Sequence, residues 1–337
     1  MTAAPQSDAR ETTAPLLEAR GLTKHFPVGG PFKRRYLHAV DDVDLALHPR
    51  EIVALVGESG SGKSTVARLL AMAYRPTRGE VRYNGQPLGT LRRRRDLLAY
   101  RAHVQMVLQD PFSSLSPVYP VSHGIMRSLK LHRYGRGAAE RHGRAVEILE
   151  SVGLHPAEEM LRKYPHEMSG GQRQRIGFAQ ALACGPELIL ADEPVSMLDV
   201  SIRIGVLNLM AELRRQAGVS FLYITHDIAS ARYVADRLFV MYAGHVVENG
   251  PVEDVLAHAK HPYTQLLLSA VPDPRAPVDV APAGETGEPP RVVDPGEGCR
   301  FRARCPLAMD ECARVTPQLR PLRPGHSAAC HAATADA

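Results

Sequence analysis

Ile52-Val-Ala-Leu-Val56 runs directly into Gly57-Glu-Ser-Gly-Ser-Gly62-Lys63-Ser64, and Thr65-Val-Ala-Arg-Leu-Leu70 follows. The unbroken apolar run predicts a short strand buried on both faces. The loop after it matches G-x-x-x-x-G-K-[ST]. Gly57, Gly60 and Gly62 let the backbone curl, so that successive N–H groups around Ser59 and Thr65 point at phosphate oxygens. Lys63 adds a positive charge at the β- and γ-phosphates, and the Ser64 hydroxyl can ligate Mg²⁺. The segment after Ser64 reads as a helix whose N-terminal dipole faces the same anion. Strand, glycine loop and helix in this order predict an α/β phosphate-binding core.

Further along, Leu188-Ile-Leu-Ala-Asp192-Glu193 is a second apolar run, ending in two carboxylates. An acid at the C-terminal end of a parallel strand lies where a phosphate-bound Mg²⁺ needs an oxygen partner. Asp192 suits that role. Glu193 would point past the metal, where a carboxylate can orient or deprotonate an attacking water. Val219 to Thr225 is a third run of this kind, and Ala39 to Leu47 alternates like a half-buried strand. Together they predict a parallel sheet with crossover helices.

Other stretches read differently. Residues from about 112 to 168 are rich in Leu, Arg, His and Ala and predict a mainly helical insertion. Residues 1–17 read as a disordered lead. Residues 272–297, crowded with Pro, Gly and Glu, read as a linker, and 298–337 as a small separate cysteine-rich module. The basic run Arg92 to Arg95 reads as a solvated face. No apolar stretch approaches the ~20 residues that cross a bilayer, and the N-terminus has no secretory pattern. A soluble, intracellular chain is expected, reaching any membrane through a partner. The formal charge of +5 does not single out nucleic acid as that partner.

Met168-Ser-Gly-Gly-Gln172 resembles the signature sequence of the ATP-binding cassette (ABC) ATPases, and it stands, as in that family, shortly before the Asp-Glu strand. The resemblance implies a P-loop (RecA-like) core, an antiparallel β subdomain and a helical signature subdomain within 18–271. It implies that Ser169, Gly170, Gly171 and Gln172 contact the γ-phosphate held by a second cassette. Gln109 looks like the Q-loop glutamine, near Mg²⁺ together with Ser64 and Asp192. Asp199 resembles the D-loop aspartate, and His226 the switch histidine at the γ-phosphate. Phe26 is the candidate for stacking on adenine, with Tyr36 as its rival. Lys63, Glu193 and His226 would carry the hydrolytic step.

Gln109-Asp-Pro-Phe-Ser-Ser-Leu-Ser-Pro117, Asp192 to Ser201, and His261-Pro-Tyr-Thr-Gln-Leu-Leu-Leu-Ser-Ala270 resemble the oligopeptide/dipeptide-import branch, as does the tail pattern around Cys299, Cys305, Cys312 and Cys330. Met168, Met197 and Ser116 depart from the usual residues without removing a catalytic group. The branch implies an ATPase on the cytoplasmic face of the plasma membrane. Its partners would be a second ATPase subunit, identical or related, two transmembrane permeases and an extracytoplasmic solute-binding protein. Oligosaccharide or metal uptake by the same motor is the alternative. A soluble repair ATPase would carry a long coiled coil between Lys63 and Ser169, and no heptad run is present.

The tail spacing is Cys299-x5-Cys305-x6-Cys312-x17-Cys330, without the paired C-x2-C of zinc modules. The resemblance implies a [4Fe–4S] cluster on these four; zinc and free thiols stay open, with His326 and His331 as spare ligands. Cys184 stands alone and reads as a small buried hydrophobe.

Overall fold

The computed structural model describes residues 14–30, 35–91, 93–110, 115–270 and 292–334. Residues 1–13 of the expected lead, Arg92 of the basic run and residues 272–291 of the expected linker lie outside them.

Along the chain, β1 (Leu17–Val28) and β2 (Arg35–Leu47) form a hairpin, followed by β3 (Ile52–Val56) and α1 (Lys63–Leu70). Next come β4 (Arg78–Tyr83), β5 (Gln86–Pro87), α2 (Arg94–His103) and β6 (Val104–Val107). The helical stretch holds α3 (Ser122–Leu131), α4 (Ala138–Ser151) and α5 (Ala157–Arg162), and leads into α6 (Gly170–Leu182). The core resumes with β7 (Leu188–Asp192), α7 (Val200–Ala217), β8 (Ser220–Thr225) and α8 (Ile228–Val234). It continues through β9 (Arg237–Tyr242), β10 (His245–Pro251), α9 (Val252–Ala257) and α10 (Pro262–Ser269), and the tail adds β11 (Arg320–Arg323) and β12 (His326–Ala328).

One sheet has the order β11-β12-β10-β9-β3-β8-β7-β6, the other β2-β1-β4-β5. In the large sheet β3 pairs in parallel with β8 and β9, and β7 in parallel with β6 and β8. The small sheet is antiparallel.

The unbroken apolar runs have a physical reason: each strand divides its side chains between two cores. Ile52, Ala54 and Val56 enter one core with Ile189, Ala191, Phe221 and Tyr223. Val53 and Leu55 enter the other with Leu188, Leu190, Leu222 and Ile224. Helices α6 and α7 cover the first side, and the small sheet with α1 covers the second. The alternation in β2 breaks between the buried Val40 and Val43, where the register against β1 shifts and Asp42 takes a positive φ of 50°. This is the signature of a β-bulge.

Two expectations need correction. The lead is shorter than 1–17, because Leu16 is buried and β1 starts at a fully buried Leu17. The tail is not a separate module. β12 pairs antiparallel with β10 and β11 with β12, so the tail extends the main sheet. Phe301 is 1% exposed and joins the central core beside Tyr242 and Tyr263. Burying a side chain of that size is worth about 1.5–3 kcal/mol, enough to hold a short segment down. The last residues expected in the linker also pack, with Val293 bridging to Leu37 on β2.

Candidate active site

The glycine loop leaves the C-terminal end of β3 and passes under the β9–β10 turn. Gly57 has φ 153° and Gly62 φ 106°; a Cβ at the first would lie 2.1 Å from the Met241 carbonyl oxygen, and at the second 2.2 Å from that of Ala39. No other residue type fits either place. Lys63 is 4% exposed, and its Nζ donates to the carbonyls of Gly57 (2.7 Å) and Glu58 (2.8 Å). Burial pulls the Lys63 pKa down, while Glu193, Asp192 and Glu58 oppose that shift. Helix α1 begins at Gly62, which brings no side chain to the cap. The amides of the first turn are therefore left without a side-chain acceptor.

β7 lies two strands away and delivers the acids. The Ser64 hydroxyl donates to Asp192 Oδ1 at 2.8 Å, so two hard oxygen donors meet beside the loop. That donor set fits Mg²⁺. Burial raises the Asp192 pKa; the Ser64 hydrogen bond, Arg68 and Lys63 work against it. Glu193 has φ 48°, a conformation that costs a non-glycine residue of order 1–3 kcal/mol and clusters at functional sites. Its N–H donates to the Ile224 carbonyl of β8 (3.0 Å), which holds the turn. Gln109 Nε2 donates to Glu193 Oε2 at 3.0 Å, and His226 Nδ1 lies 3.5 Å from the same oxygen. A carboxylate just after β7, an amide after β6 and an imidazole after β8 thus converge through the order of the sheet.

These groups line one cleft of about 1050 Å³. Its walls include Phe26, Ser59, Gly60, Gly62, Lys63, Ser64, Thr65, Gln109, Glu193 and His226. Tyr36 is not among them: it is 42% exposed, and its N–H binds Asp294 Oδ1 at 2.8 Å. The sequence reading missed Leu37, His38, Leu267, Val292 and Val293, which also wall the cleft. The Val292-Val293 pair, apolar within a polar stretch, was the available signal.

Ser169, Gly170, Gly171, Gln172 and Asp199 do not line the cleft. They form the start of α6, where Ser169 is exposed, Gly170 and Gln172 are half-buried and Gly171 is buried, and the turn before α7, where Asp199 is exposed. Ser169 Oγ accepts from the Gln172 N–H (3.3 Å), and Gln172 Oε1 accepts from the Ser169 N–H (3.0 Å). This reciprocal capping box stops the helix at its N-terminus.

The tail gathers its cysteines. The Cys299 N–H donates to the Cys312 carbonyl (2.8 Å), and burial followed by the neighbouring Cys312, Cys305 and Cys330 raises the Cys299 pKa. Among the described residues no three of these sulfurs lie within 4.8 Å of one another. His326, one of the two spare histidines, is fully buried, with Nε2 2.8 Å from Glu248 Oε1 and Nδ1 without a hydrogen-bond partner. Cys184 is half-buried, and burial pushes its thiol up to about 11. Among the described residues no helix is long and apolar enough to cross a membrane.

Comparison with known proteins agrees with this geometry. The ABC transporter family matches residues 40–196, and the C-terminal region of oligopeptide/dipeptide transporters matches residues 247–312. The chain is 43% identical over 319 residues to a putative peptide import ATP-binding protein of Brucella ovis, covering 95% of this chain and 98% of that one. It is 42% identical over 321 residues to an oligopeptide transport ATP-binding protein of Bacillus subtilis, covering 94% and 97%. A dimeric ATP-binding cassette solved in a post-hydrolysis state with ADP and phosphate superposes with a TM-score of 0.61 at 28% identity, over 70% of this chain and 98% of that one.

Proposed function

Because this chain belongs to the ATP-binding subunits of ABC transporters, we propose that its cleft binds and hydrolyses MgATP to drive import of short peptides through partner permeases. One observation carries the chemistry: Lys63, Ser64 and the Gln109–Glu193–His226 group line a single cleft at strand ends, with Asp192 buried behind Ser64 and hydrogen-bonded to it. Phe26 is the aromatic that stacks on adenine, since it walls the cleft and Tyr36 does not. Lys63 and the loop amides hold the β- and γ-phosphates. Ser64, Asp192 and Gln109 are the groups that would hold Mg²⁺, which when bound neutralises charge developing on the phosphate oxygens. Glu193, held by Gln109 and His226 at one oxygen, keeps its other oxygen to take the proton of an attacking water.

Ser169 to Gln172 and Asp199 serve the opposite cassette of a dimer, which accounts for their place outside this chain's own cleft. The substrate class rests on the relatives, which are named for peptide import, and on the matched C-terminal region. The second cassette, the two permeases and an extracytoplasmic binding protein complete the reading, with this subunit peripheral on the cytoplasmic face of the membrane.

For the tail we propose a [4Fe–4S] cluster on Cys299, Cys305, Cys312 and Cys330. A tetrahedral zinc site with bonds of about 2.3 Å needs sulfurs about 3.8 Å apart. The all-thiolate donor set, without a paired C-x2-C, supports a cluster over such a zinc site.

The test of the cleft is Glu193→Gln. Binding of ATP should persist, while hydrolysis falls by roughly 10²–10⁴-fold, the usual worth of a general base. Hydrolysis at the wild-type rate would remove Glu193 from the role.

A further inference from the structure

The loop that cradles phosphate contains a carboxylate of its own. Glu58 lines the cleft, and its backbone is held at both ends: its N–H donates to Tyr263 Oη at 2.8 Å, and its carbonyl accepts from Lys63 Nζ at 2.8 Å. An anionic side chain here opposes an anionic ligand unless something neutralises it. Arg304 does so. Its Nη1 and Nη2 donate to the two Glu58 oxygens at 2.8 and 2.9 Å, a fork-on-fork pair between side chains only 15% and 25% exposed. Bidentate pairs of this type fix orientation as well as charge.

Arg304 comes from the tail, 246 residues further along the chain. It ends a single 3₁₀ turn, Arg302–Arg304, pinned between two of the four cysteines. The Arg302 N–H donates to the Cys299 carbonyl (3.1 Å), the Cys305 N–H to the Arg302 carbonyl (3.2 Å), and the Arg304 N–H to the Phe301 carbonyl (2.9 Å). Whatever ties the sulfurs together therefore sets where the guanidinium can reach. A second tail arginine works alongside it: Arg300 donates to Asp41 on β2 and to the Ala243 carbonyl, and Ala243 walls the cleft. That contact also disposes of another candidate. His25, His38 and Asp41 cluster closely enough to bind a metal ion, but the Arg300 guanidinium already supplies the cation there.

We propose that Arg304 is a positioning residue of the nucleotide site, through which the four-cysteine turn sets the affinity of the phosphate loop for ATP. The inference rests on the reading of the cleft as an ATP site. Removing Arg304 would leave the Glu58 carboxylate uncompensated beside the phosphates and release one anchor of the loop. Binding should suffer more than the chemical step, since Arg304 touches neither Glu193 nor His226.

The experiment is a double-mutant cycle on the full-length protein. A non-hydrolysable ATP analogue with Mg²⁺ is titrated into wild type, Arg304→Ala, Glu58→Gln and the double variant, with thermal unfolding followed for each. Arg304→Ala should weaken binding about tenfold, the size of one charge-assisted contact. In the Glu58→Gln background, which sets its own reference, the same change should matter less than twofold. Should Arg304→Ala fold poorly, Arg304→Gln replaces it in the cycle and Arg304→Lys should recover part of the affinity. An equal loss in both backgrounds would make Arg304 merely structural and overturn the proposal, as would wild-type affinity in Arg304→Ala. Cys305→Ser should weaken the analogue in wild type and not in Glu58→Gln; unchanged affinity in wild type would cut the cysteines out of it. If wild type itself shows no saturable binding, the reading of the cleft fails instead.

Discussion

Two helices of this chain begin in glycine-rich turns of related composition, and they end up in different surroundings. Helix α1 starts at Gly62 with no side chain on its cap, and Gly62, Lys63, Ser64 and Thr65 all face the cleft. Helix α6 starts at Ser169, whose hydroxyl and amide are both engaged by Gln172. The first start is left open to an anion by the strand and carboxylates beside it. The second has its Gln172 amide taken by the Ser169 hydroxyl and lies outside the cleft. The difference teaches that a phosphate-binding helix start is defined by what surrounds it. α1 has Asp192 and Glu193 brought beside it by the sheet, whereas α6 starts away from that cleft.

The sharpest way to break this comparison is to injure each start and ask which step fails. Lys63→Ala removes the charge that faces the β- and γ-phosphates and should weaken binding of a non-hydrolysable ATP analogue by at least tenfold. Equal affinity for mutant and wild type in a direct titration would show that the α1 start is not the phosphate site.

Acid should bear on the phosphate-loop side through stability rather than affinity. His261 caps α10, its Nδ1 accepting from the Tyr263 N–H at 3.0 Å, and Tyr263 in turn holds Glu58 in the phosphate loop. Burial depresses the His261 pKa to about 4, with Glu248 opposing, so the ring is neutral in the folded protein and titrates near 6.5 once unfolded. A depressed histidine contributes stability that is whole above pH 6.5 and is lost as pH falls toward 4. For a shift of this size the loss is on the order of 3 kcal/mol. His245, also depressed to about 4 by burial, adds to the same slope. Thermal unfolding of wild type should therefore fall between pH 7 and 5. His261→Asn keeps a capping oxygen and cannot protonate, so it should flatten part of that fall. An identical pH slope in the variant would remove His261 as its source.

The smallest effect belongs to the second start. Ser169→Ala deletes a helix cap and should cost about 1 kcal/mol of stability by denaturant unfolding. Analogue binding to the isolated subunit should be unchanged, because Ser169 does not line this cleft. A loss of binding there comparable to that of Lys63→Ala would erase the contrast between the two helix starts.

The residues that identify the cleft were legible because each belongs to a local pattern. The β3–loop–α1 unit, the acids at the end of β7 and, outside the cleft, the Met168–Gln172 signature are each spelled in fewer than a dozen consecutive residues, and short-range geometry follows from short-range sequence. The apolar runs of β3, β7 and β8 likewise announced strands covered on both sides. Only the tertiary structure decided that Phe26 rather than Tyr36 faces the cleft, because both lie on the β1–β2 hairpin and the sequence does not say which one turns inward. Only it joined the tail to the sheet, because β11 and β12 span four and three residues, too few for an alternation to be seen. The Arg304–Glu58 pair had no pattern at all. An ion pair between residues 246 apart is specified by where Phe301 is buried and where the loop turns, and neither position exists until the chain has folded.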